Sequence, residues 1–150
     1  NVNKSVELVK MMNSPYKNMF LGEMLVNAHR FSEAEEVLKH EIHPVARFFL
    51  ARAYEGAGKT NAAIDALQQI LPYGNIYHDI YYRYGMLMGR AGYEAKGHEY
   101  LGRFHLENGR LDLARNHFEK AIAKYGINTM EAANIMKIID NMKKEPSGSR

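Results

Sequence analysis

Small residues recur in this chain at a spacing suited to paired helices. In Leu101-Gly102 … Gly109 … Ala114 … Phe118 … Ala121, small and apolar side chains repeat at helical intervals on both sides of Asn108-Gly109. Gly109 suits the left-handed position that ends a helix, and Asp112 is placed to help cap the next one. Ala114 and Ala121 would let two helices approach closely, with Leu101 and Phe118 filling the space between them. The same order appears in Leu50-Ala51 … Tyr54 … Gly58 … Ala63 … Leu67 … Ile70 and in Leu21-Gly22 … Leu25 … Ala34 … Leu38. A fourth copy reads Tyr84-Gly85 … Met88 … Gly92 … Gly97 … Leu101. Ser32 and Glu35 are spaced as a capping box before the second helix of their copy.

Ala34, Ala63, Gly97 and Ala114 hold one slot in these copies and lie 29, 34 and 17 residues apart. The steps describe a shortened repeat, a full one and a half. The helix expected over 93–108 would therefore close one unit and open the next, which a stack of nearest neighbours tolerates. Helices are expected over 2–12, 16–28, 32–42, 44–57, 60–71, 76–91, 93–108, 111–125 and 129–143. The last has Asn128 and Glu131 at its start and would cap the array. Residues 144–150, with Pro146 and Gly148, read as a disordered tail. The Tyr-rich run 76–84 is the nearest approach to a strand, and Gly85 with the Met spacing after it argues against one.

This pattern resembles the tetratricopeptide repeat (TPR), a helix–turn–helix unit of about 34 residues. The stretch 95–126 fits it through Leu101, Gly102, Gly109, Ala114, Phe118 and Ala121. His98 and His105 stand where the family prefers a large apolar residue and a tyrosine, and Gly126 replaces the closing proline. The resemblance implies an all-α fold: a right-handed α-solenoid of antiparallel helix pairs, one repeat domain over 1–143 with about eight or nine helices.

Composition narrows the functions. The 20 basic and 17 acidic side chains are interspersed without a basic stripe, which disfavours nucleic acid. With no cysteine there are no disulfides, thiolate metal sites or cysteine nucleophiles. No run approaches the roughly 18 apolar residues of a membrane span, so membrane insertion is not expected. The start does not read as a signal peptide, and a first residue of Asn rather than Met reads as a piece of a longer protein.

Chemical motifs are weak. Gly56-Ala57-Gly58-Lys59-Thr60 resembles the end of a phosphate-binding loop, but Ala53 holds the leading glycine's place and a helix precedes it. In the repeat reading Gly58 ends one helix and Thr60 caps the next. His40 and His43 are three apart, yet Pro44 follows. His98 and His105 are two helical turns apart, within reach of His117, and read as packing residues with one polar edge satisfied. No carboxylate pattern completes a zinc site, so neither metal nor cofactor is expected. No nucleophile elbow occurs, and catalytic residues are not expected.

The repeat family grips a peptide or protein segment on a concave face lined by first helices. Carried over slot by slot, that face takes Tyr16, Met19, Glu23 and Val26, then Phe48, Arg52 and Glu55, then Asp79, Tyr82, Met86 and Arg90. Lys96, Glu99 and Arg103 follow on the shared helix. Aromatic, Met and Arg side chains dominate interface energetics. Met19, Phe48 and Met86 read equally well as packing between helices. The lysine–asparagine clamp of chaperone-binding repeats is not recognisable, since Glu23, Arg52 and Met86 hold its middle slots.

More narrowly, Tyr84-Gly85 … Gly92 … Gly97-His98 … Leu101-Gly102-Arg103-Phe104 … Gly109 … Ala114 … His117-Phe118 … Ala121 is similar to the TPR region of BepA-like zinc metalloproteases. That likeness implies a non-catalytic docking arm of a periplasmic bacterial enzyme. An oligomerisation element that stacks through the ends of the array is the rival reading.

Overall fold

A computed structural model describes residues 1–144. Among them are nine α-helices and no strand: α1 Val2–Lys10, α2 Lys17–Asn27, α3 Phe31–Leu38, α4 Pro44–Gly56, α5 Thr60–Gln68, α6 Asp79–Arg90, α7 Glu94–Glu107, α8 Leu111–Tyr125 and α9 Met130–Lys144. The expected all-α fold is what forms. The Tyr-rich run 76–84 is turn and then α6. Lys144 closes α9, and the rest of the expected tail, 145–150, lies outside the described residues.

The turn is the repeating element. His29, Gly58, Gly92 and Gly109 take positive φ angles of 58°, 75°, 93° and 70°. In each turn the next residue's N–H reaches five residues back, Arg30 to Leu25, Lys59 to Tyr54, Tyr93 to Met88 and Arg110 to His105. This is the Schellman closure of a helix end, for which glycine is best suited because a Cβ is strained at positive φ. These turn residues are separated by the same 29, 34 and 17 steps as the small residues five positions later. His29 marks a copy whose turn lacks glycine, and its imidazole is set edge-on to Phe31.

Three expected caps are not made. Arg30, Lys59 and Arg110 occupy the N-cap positions, and none gives a side-chain cap bond. Ser32, Thr60 and Asp112 lie inside the first turns instead, because the tight Schellman turn starts each helix one or two residues early. Glu35 consequently pairs with Lys59 at 2.6 Å rather than closing a capping box. At α9 the cap is Thr129, not Asn128: its hydroxyl accepts from Ala132 N–H and donates to the Gly126 carbonyl.

The helices form two compact units, Asn1–Tyr73 and the part from Gly74 onward. In the first, α4 packs on both α2 and α3, and α5 packs on α4. Val6, Leu21, Leu25, Ala34, Leu38, Ala46 and Leu50 make its core. In the second, α7 packs on α6 and on α8, and α9 covers α8 through Phe118, Ala121, Ile135 and Met142. The half-repeat step is thus realised physically, since α7 has a partner on each side.

Candidate functional site

In the first unit the starts of α2 and α4 are adjacent. Tyr16 precedes α2, is 53% exposed, and lies edge-on to His43, whose Nδ1 caps α4 by accepting from Val45 N–H. Met19 and Phe48 are partly buried and pack against the core. The Arg52 guanidinium sits 5.7 Å above the Phe49 ring. Glu23 is half-buried on α2.

In the second unit Asp79 is exposed at the first turn of α6, with Tyr82, Met86 and Arg90 following at steps of three, four and four residues on one stripe. Tyr82 is 40% exposed and its ring lies 5.2 Å from that of Phe104 on α7. Met86 and Arg90 line a cleft of ≈ 380 Å³ between α6 and α7, together with Leu101, His98 and Glu94. Its base is a close helix crossing. A Cβ built on Gly97 would sit 2.9 Å from the Gly85 carbonyl oxygen and 3.0 Å from Gly89 N. Helix axes come this near only where side chains are absent at the contact.

Beside the cleft, three imidazoles meet. His98 Nδ1 lies 3.0 Å from His117 Nδ1, and the His105 ring stacks on His117 at 5.3 Å and 13°. His105 Nδ1 is buried without a partner. Burial lowers the pKa of all three, and for His117 burial together with His98, His105 and Lys120 takes it to about 4. Among the described residues no group of three or more His, Cys, Asp or Glu is arranged to hold a metal.

Neutral imidazoles here make the fold sensitive to acid. His117 titrates near its ordinary 6.5 when unfolded and near 4 when folded, so the unfolded chain binds more protons between those values. Stability is therefore undiminished above pH 6.5 and falls as pH drops towards 4. After allowance for partial solvent screening, the loss should be about 1–2 kcal/mol. Urea unfolding of the wild type against His117→Gln at several pH values checks it, since the variant should lack this component of the slope.

Two further groove candidates are engaged with neighbouring side chains. Glu99 accepts from Tyr125 Oη at 2.8 Å and pairs with Arg103 at 2.9 Å, tying α7 to α8. Burial and the Glu99 carboxylate push the Tyr125 hydroxyl well above its usual range. The loop resembling a phosphate-binding loop joins two helices, with its lysine already paired to Glu35. Phe104 was not placed at the site from sequence, because which residues of α6 and α7 meet depends on where the helices cross. No helix among the described residues is long and apolar enough to cross a membrane.

Two solved structures of MamA, a TPR-like protein, have a similar fold. Each is 22% identical to this chain. One gives a TM-score of 0.57 over 83% of this chain and 88% of its own, and the other 0.55 over 82% of each. No family model matches the sequence, and no curated protein matches it. At this identity the likeness carries the TPR-like fold.

Proposed function

We propose that the chain is a non-enzymatic protein-interaction scaffold that grips a peptide or protein segment on its first-helix faces. The observation that carries this reading is the α6 stripe, where exposed Tyr82 lies against the Phe104 ring and Met86 and Arg90 continue into an open cleft. An aromatic anchor next to a Met-lined recess suits a hot spot, because Tyr offers large contact area at small entropy cost and Met adapts to varied apolar partners. The TPR-like fold agrees with it. Tyr16 and Arg52 would offer a second contact on the first unit.

Tyr82→Ala is expected to weaken capture of a partner from the native cell extract by roughly tenfold or more while leaving the far-ultraviolet dichroism unchanged. Phe48→Ala, whose ring packs on the core, should instead lower the melting temperature. Retained capture in Tyr82→Ala, with the fold intact, would argue against this face. A docking arm of a periplasmic zinc metalloprotease is the narrower form of the reading, supported by the residues 84–121 quoted above. A parent gene lacking a zinc-protease motif would remove that form and leave the scaffold.

A further inference from the structure

The positive charge of the chain is unevenly divided. Residues 1–73 carry eight basic and eight acidic side chains, and residues 74–150 carry twelve and nine. In the second unit His117, Lys120 and Lys124 fall at steps of three and four along α8 and so share one face of it, and that face meets α7 through the His98–His117 contact and the Lys124–Glu94 ion pair. Lys120 and Lys124 oppose protonation of His98, Lys120 opposes that of His117, and Arg110 that of His105. Glu94 acts in the other direction on His98; it lines the cleft and is ion-paired with Lys124. On the neighbouring elements, Glu99 is engaged by Tyr125 and Arg103, and Arg90 of α6 lines the cleft that His98 shares with Met86 and Leu101.

An apolar recess therefore adjoins a cluster of cations and proton-accepting rings. We propose that this face docks an acidic peptide segment, with Met86 and Leu101 taking an apolar side chain and Lys120, Lys124 and the His98–His117 pair meeting its carboxylates. The proposal rests on the scaffold reading and adds the charge of the partner. An anion relieves the mutual repulsion of the cations and steers association. It also favours the charged imidazole, so docking takes up a proton. The geometry sets a limit on that uptake. One proton fits between two Nδ1 atoms 3.0 Å apart, so the pair can gain one charge and keep its hydrogen bond, and a second charge breaks it.

The test measures fluorescence anisotropy of short labelled peptides that alternate leucine with glutamate, lysine or serine, against the full chain. The glutamate probe should bind, tighten roughly fivefold from about pH 8 to about pH 6, and weaken with added salt. Lys120→Glu, at an exposed position, should weaken it about tenfold, and His98→Gln should remove the pH dependence while dichroism shows the fold retained. Equal binding of the lysine or serine probe overturns the acidic partner but leaves the scaffold standing. Failure of the glutamate probe to bind, or unchanged affinity in Lys120→Glu, overturns this proposal, while the Tyr82→Ala capture experiment judges the scaffold independently.

Discussion

Replacing Gly97 by alanine will destabilise the second unit by about 2–3 kcal/mol, although alanine is the better helix former. The added methyl would sit 2.9 Å from the Gly85 carbonyl and 3.0 Å from Gly89 N. Both are backbone atoms and cannot rotate away, so α6 and α7 must separate. Separation would loosen Tyr84 against Tyr100, rings now 4.7 Å apart, and alter the α6–α7 cleft as well. Gly89→Ala is the control. Nothing lies within 4 Å of a Cβ there, so the gain in helix propensity should raise stability by up to ~1 kcal/mol. Chemical denaturation followed by helicity measures both, and a Gly97→Ala chain as stable as the wild type would show that the helices do not cross so closely.

Phe118→Ala should cost more, about 3–5 kcal/mol. The ring is fully buried among Ala114, Ala121, Ile135 and Met142, and it faces Gly102 so tightly that a Cβ there would lie 2.6 Å from it. Its removal leaves a cavity between α7, α8 and α9 that the alanines and Gly102 around it cannot fill. Phe118→Leu should lose roughly a third as much. A difference of less than about 1 kcal/mol between Phe118→Ala and the wild type would mean that α9 is held by other contacts. Since α9 packs on α8, hydrogen exchange in α9 should report the loss first.

Both predictions start from residues that were conspicuous before any coordinates. Gly97 and Phe118 were read as a small slot and a filler, and those are their roles. Met19 and Phe48 were readable either way, as groove or as packing, because helical spacing marks a face without saying what lies against it. The caps went astray for a local reason. Ser32, Thr60 and Asp112 are good capping residues, yet the Schellman turns start their helices at Phe31, Thr60 and Leu111. His29 shows the converse: the turn formed without the glycine by which it was recognised elsewhere.

Helical period, turn chemistry and the 29-34-17 step are local properties, carried by residues within a few positions of one another, and the sequence alone determined them. It thereby determined the all-α, paired-helix fold and the double role of α7. Contacts between helices were decided by the crossing, which depends on the volumes of many side chains acting together. Only the tertiary structure could set His98 against His117, leave His105 Nδ1 without a partner, place Phe104 under Tyr82 and open the cleft beside Met86.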